Sequence, residues 1–100
     1  MLKRIRIRDV VRGRSHELGP EEQVLRGSYD LFHPAGPAQM QGDGTVEWMA
    51  GGTAHVSRVV STPLGSVHVG ERVLSRLGDP TPGAWWLCEV EDIEEIPGDG

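Results

Sequence analysis

The sequence predicts an all-β fold, a small barrel or sandwich of about five or six strands with at most one short helix. Three observations lead there. Short runs alternate apolar and polar residues with period two, β-prone segments are separated by glycine and proline, and the one segment with helix signals is very short. A chain of 100 residues is of single-domain size and can bury one core. The domain is expected over 1–96, with a long loop at 33–44 and a flexible C-terminal end at 97–100.

Each element follows from its local pattern. Arg4-Ile5-Arg6-Ile7-Arg8 alternates, which places Ile5 and Ile7 on one face of a first strand and the arginines on a wet face. Gly13 to Gly19 reads as a connection. In Pro20–Gly27 the proline near the start, the acids Glu21 and Glu22 and the closing glycine are helix signals in the right order, while an extended reading of Gln23 to Phe32 stays open. Residues 33–44, HPAGPAQMQGDG, hold two prolines and three glycines and read as a loop.

From Thr45 the pattern is firmer. Thr45–Ala50 and Thr53–Ser61 flank Gly51-Gly52, a two-residue hairpin turn that sets Ala50 opposite Thr53, Trp48 opposite His55 and Val46 opposite Ser57. Pro63-Leu64-Gly65 breaks the chain, Ser66-Val67-His68-Val69 alternates again, and Glu71–Leu77 continues as a strand. Gly78–Gly83 is a turn-rich loop, and Ala84–Ile93 forms the last strand. On that strand Trp86, Cys88 and Val90 face one way and Trp85, Leu87, Glu89 and Glu91 the other. Two adjacent tryptophans therefore need separate burial. Either a loop such as 33–44 covers Trp85 and Leu87, or they form an apolar patch that docks a partner.

Charge is divided between the ends. Residues 1–14 carry +5, residues 89–100 carry −6 and the middle −4, so the net −5 hides a strong separation. Such a pattern means either that the termini pair as neighbouring strands, or that each offers a charged face to a different partner. Only the N-terminal segment offers a basic surface for phosphate. The longest apolar runs are a few residues, which excludes a helical membrane span, and the start leads into a basic alternating segment rather than a secretory one. A cytoplasmic site is the default expectation. A single cysteine, Cys88, allows no disulfide within the chain and reads as a small core residue.

Catalytic and metal chemistry find little foothold. His16, His33, His55 and His68 lie far apart without paired ligand spacing, so no metal and no cofactor are expected. No G-x-S-x-G elbow or phosphate-binding glycine loop is present, and no small-molecule substrate is evident. The acidic C-terminal segment lacks the spacing of a calcium loop. The expectation is a protein that is not an enzyme.

The run Val67-His68-Val69-Gly70-Glu71-Arg72-Val73-Leu74-Ser75-Arg76-Leu77, followed by a turn and Trp85-Trp86-Leu87-Cys88-Glu89-Val90, resembles the strand-turn-strand pattern of SH3-like small barrels. The similarity covers about 25 residues and implies that fold. Among such barrels Tudor-type modules often show a similar Val-Gly-Asp-Arg-Val-like entry and need an aromatic cage; none is assigned from Trp48, Trp85, Trp86, Tyr29 and Phe32, so the resemblance does not imply methyl-lysine binding. A second resemblance is to the connector proteins of tailed phages, of the head-closure or stopper type. It rests on a basic first strand, the loop at 33–44, a β-meander, and a closing pair in which Glu71-Arg72-Val73 precedes a strand ending Glu89-Val90-Glu91-Asp92. It implies a ring-forming virion protein whose loops contact neighbours.

The functional expectation is a non-enzymatic structural or assembly module that self-associates or docks on a larger protein complex, with a phage connector as its most concrete form. Its expected interface comprises Arg4, Arg6, Arg8, Trp85, Leu87, Glu89, Glu91 and Asp92. The alternative is a nucleic-acid-binding barrel that sets Arg4, Arg6, Arg8, Arg12 and Arg14 against phosphate. No membrane partner is expected, and the location is cytoplasmic, or the virion if the chain is of phage origin.

Overall fold

A computed structural model describes residues 2–27, 36–63, 66–76 and 81–96, and joins eight strands into one antiparallel sheet. They are β1 (Leu2–Asp9), β2 (Ser15–Leu18), β3 (Gln23–Gly27), β4 (Ala38–Met40), β5 (Thr45–Ala50), β6 (Thr53–Pro63), β7 (Arg72–Ser75) and β8 (Ala84–Ile96). No α-helix occurs among the described residues, and none there is long and apolar enough to cross a membrane. The all-β expectation holds, with more strands than the sequence pattern resolves.

The sheet order is β2-β1-β8-β4-β5-β6-β3-β7, and β7 pairs again with β8. The circuit β8-β4-β5-β6-β3-β7 therefore closes, which leaves those strands fewer open edges. The long strand β8 makes this possible by changing neighbours. It meets β4 at Ala84 and Trp85, β7 at Trp86–Glu89 and β1 at Cys88–Ile96.

The β5–β6 hairpin has the register its turn dictates: Ala50↔Thr53, Trp48↔His55 and Val46↔Ser57. Gly51 and Gly52 take φ of +59° and +78°, the left-handed geometry of a type I′ turn, which matches the twist of the flanking strands. Trp48 and His55 stack with ring centroids 6.1 Å apart.

Two cores form because the sheet is buried on both faces where β3, β7 and β8 run together. The inner one gathers Leu25, Ala38, Val46, Trp48, Leu74 and Leu87, with Val59 and Trp85 packed against it. The outer one gathers Ile5, Ile7, Leu18, Val24, Val67, Val73, Cys88 and Val90, with Trp86 and Ile93 alongside. Neighbours Val24 and Leu25, Val73 and Leu74, and Trp86 and Leu87 thus go to opposite cores, as the period of a strand requires. The separate burial of the two tryptophans is solved in this way. Strand β4, inside the segment read as a loop, supplies Ala38 beside Trp85.

Three local readings are corrected and one open alternative is decided. Of the two readings of the segment with helix signals, the extended one holds over Gln23–Gly27, because Val24 and Leu25 each fill a core and the ladder to β6 supplies the hydrogen bonds a two-turn helix would need. Ser15–Leu18 is a strand rather than connection, held to β1 with Leu18 opposite Ile5. Residues 38–40 are a strand rather than loop. Residues 66–69 are not a strand: Val67 is 2% exposed and Val69 is 62% exposed, although strand alternation would put them on one face. Gly70, at φ +88°, turns the chain there, with the Glu71 amide bonding the His68 carbonyl at 3.1 Å. Residues 33–35 and 97–100, like Tyr29 and Phe32, lie outside the described residues.

Candidate functional site

The opposed charges of the two ends meet within the chain. Alternation along β1 turns Ile5 and Ile7 into the outer core, where they are fully buried, and leaves Arg4, Arg6 and Arg8 on the far face. Strand β8 lies antiparallel to it with Arg4↔Glu94, Arg6↔Asp92 and Arg8↔Glu89, and a shift between Arg6 and Ile7 leaves Glu91 as the extra residue of a bulge. Arg4 sits 3.9 Å from Glu94, Arg8 3.5 Å from Glu91 and Arg6 3.7 Å from Glu17 of β2. Glu89 also lies 3.9 Å from Arg72 on β7. These are exposed pairs, each contributing about 0–1 kcal/mol, so the ribbon is charge-matched more than it is tightly bound.

Of the expected interface residues, the structure brings Arg4, Arg6, Arg8, Glu89, Glu91 and Asp92 together on this ribbon. It separates them from Leu87, which is fully buried in the inner core, and from Trp85, which packs partly buried against it. The face of β8 that carries Trp85 and Leu87 inside the circuit reaches its end at Glu89, the last β8 residue paired with β7, and is exposed at Glu91, where β8 runs on with β1.

A compact polar cluster closes the β1–β2 turn. Asp9 is fully buried, and its Oδ1 accepts the backbone amides of Val11 at 2.8 Å and Arg12 at 2.9 Å. Its Oδ2 accepts Arg12 Nε at 2.5 Å, and the Arg12 guanidinium lies 3.7 Å from the centroid of a Trp86 ring, a cation–π contact. Cys88 faces Asp9 across the ladder. Burial pushes its thiol well above the usual range, and the Asp9 carboxylate pushes the same way, so Cys88 is an inert core thiol. Arg12 therefore serves the turn, and Arg14 is left as an exposed base beside it.

A second cluster fastens the turn at 66–71 to β3. Arg26 makes an ion pair with Glu71 and donates to the Ser66 carbonyl at 3.0 Å, while the His68 amide donates to Glu71 Oε2 at 3.0 Å. Burial acts to raise the Glu71 carboxyl, but hydrogen bonds from Arg26 and the His68 amide outweigh it and hold the group below its ordinary value. The consequence is structural: the clamp holds Val67 in the outer core. At the β4–β5 turn, Asp43 is likewise held low, chiefly by the Thr45 hydroxyl at 2.5 Å.

The three histidines among the described residues do not converge by these contacts: His55 stacks on Trp48, His68 sits 3.9 Å from Glu71, and His16 lies on β2 opposite Ile7. Among the described residues no group of three or more His, Cys, Asp or Glu is placed to hold a metal ion.

One feature was missed by sequence reasoning. Val56, Val60 and Met49 are 61%, 68% and 50% exposed; Met49 and Val56 lie on the outward face of the β5–β6 hairpin, and Val60 on the same face of β6 further along, where it pairs with β3. The signal was available in the hairpin register. With Trp48 and His55 turned inward, the pairs Glu47↔Val56 and Met49↔Ala54 must face out. In comparisons with known proteins, the chain matches no protein-family model, no curated protein and no solved structure.

Proposed function

We propose that this protein is a non-enzymatic structural or assembly module that self-associates or docks on a larger protein complex. The observation that carries the reading is the apolar outer face of β5–β6, where Met49, Val56 and Val60 stand in solvent on a sheet whose other face already fills a core. An antiparallel sheet needs one buried face, and its second is ordinarily polar. Exposed apolar side chains grouped on one face mark a contact surface. The support has moved from the charged ribbon, whose arginines are matched by Glu94, Glu17 and Glu91, to this face.

The most concrete form is a connector-type protein of a tailed-phage virion, with a virion location in that case and a cytoplasmic one otherwise. A closed small β circuit with a basic first strand beside an acidic last one is compatible with a ring subunit. The nucleic-acid reading draws less support, because a continuous basic surface is needed to displace counterions and the β1 arginines alternate with carboxylates. The test is the mass of the protein in solution over series of protein and salt concentration, with cross-linking and recovery of partners from the native source. Assembly or a specific partner is expected. A strict monomer at high concentration in low salt, with no partner recovered, would sink the proposal.

A further inference from the structure

We infer that the outward face of β5–β6 is a self-association surface on which a second copy of this chain docks about a two-fold axis passing by Val56. The inference rests on the assembly reading above and adds the partner and the place. Its first ground is the position of the apolar residues. Val56 is the fourth residue of β6, with Met49 diagonally across the ladder and Val60 four residues further along the same face, so apolar side chains border the two charges that flank Val56 and can be desolvated with them.

The second ground is charge. Glu47 lies across the ladder from Val56, and Arg58 lies two residues along β6 from it, so one acid and one base flank the same valine at roughly right angles. Among the described residues neither Glu47 nor Arg58 is in an ion pair; Arg58, across the ladder from Thr45, acts on Asp43 only through its charge and as the smallest of the influences on that carboxyl. A patch holding one charge of each sign is not complementary to a partner face of single sign. It is complementary to itself.

The geometry of sheets makes the match specific. Directly opposed residues are about 5 Å apart and residues two along a strand about 7 Å apart, so Glu47 and Arg58 are at similar distances from Val56. A two-fold axis lying in the plane of contact, bisecting those two directions at Val56, carries Glu47 of one copy over Arg58 of the other and repeats the pair. The strands then cross near 90°, which is one of the two preferred ways for sheets to pack face to face. The interface is isologous and closes at a dimer.

Sedimentation velocity over a concentration series tests the inference, using the full chain and variants whose folding is checked by thermal melts. V56E places a charge at the axis, and E47R or R58E creates two like-charge pairs. Each should weaken dimerisation at least about tenfold, since like charges juxtaposed at an interface cost more than the 1.4 kcal/mol that a factor of ten represents. The decisive arm mixes E47R with R58E, because both cross-copy pairs regain opposite sign in the heterodimer alone. Dimer should return in the mixture to near the wild-type level. A wild-type monomer overturns the inference, and the recovery of some other partner would then leave the assembly reading standing. A dimer that V56E leaves unchanged, or an E47R and R58E mixture no more associated than either variant alone, also overturns the inference while self-association by another face survives.

Discussion

Replacing Asp9 tests the claim that one buried carboxylate holds the turn joining β1 and β2. Asp9→Ala removes three acceptor contacts, to the amides of Val11 and Arg12 and to Arg12 Nε, at 2.8, 2.9 and 2.5 Å. Hydrogen bonds to a charged group contribute about 1.5–3 kcal/mol each. The Arg12 side chain is 37% exposed, so its pair is screened, and the turn amides regain some water once the carboxylate is gone. The net loss is therefore placed at about 3 kcal/mol rather than the full sum. At about 4–8 °C per kcal/mol for a domain of this size, Tm should fall by about 12–24 °C.

Urea unfolding followed by tryptophan fluorescence reads the loss directly, and a double-mutant cycle with Arg12→Ala isolates the pair. Arg12→Ala alone leaves a buried carboxylate without its guanidinium and removes the contact over Trp86, so it also destabilises. The double variant should cost less than the two singles together, by about 1–3 kcal/mol. A loss below about 1 kcal/mol for Asp9→Ala, or strict additivity in the cycle, refutes the reasoning.

Other expectations follow from the same contacts. Because the Glu71 carboxyl is held below its ordinary value of 4.5 in the folded chain, its contribution is fully present above that pH and lost as pH falls through the lower folded value. The stability gap between wild type and E71Q should accordingly be open at pH 7 and shrink below about pH 4.5, and a gap that widens on acidification contradicts the clamp. Gly52→Ala, at φ +78°, should cost about 1 kcal/mol by denaturant melts with little change in the core, and a neutral result would mean that the turn is not left-handed there. Cys88 should react with a thiol reagent only as fast as the chain opens, with full labelling in urea; rapid labelling of the native protein would deny its burial.

Much of the fold was legible where a local signal fixes a long-range result. Gly51-Gly52 determines the β5–β6 register without reference to the rest of the chain, and the alternation of Arg4 to Arg8 assigns the faces of β1. The adjacent tryptophans showed that two faces of one strand need burial but left open whether a loop or a partner covers the second; Trp85 and Trp86 pack against different cores of the same chain. The short strands β2 and β4 were not legible, since four and three residues carry no period of their own and are strands only because β1, β5 and β8 offer them a ladder. Val67 and Val69 imitated a strand because turn and strand can share a valine spacing, and the turn at Gly70 together with the Arg26–Glu71 clamp separates their fates. Charge at the termini pointed to a functional surface for the same reason it pairs internally: composition records the sign of each end but not its neighbour. The apolar outer face of β5–β6 required the register to be carried one step further, to the residues left over on the other side.

The central claim is that the basic first strand and the acidic last strand pair inside one chain, which leaves the outer face of β5–β6 as the surface for assembly. Nuclear Overhauser contacts between β1 and β8, recorded on a mixture of isotope-labelled and unlabelled protein, test it most directly. Cross-strand contacts of Arg4 with Glu94 and Arg6 with Asp92 should appear within labelled chains and be missing from the spectrum filtered for contacts between chains. Those same contacts appearing between labelled and unlabelled chains would mean that the termini join subunits, and would contradict the account.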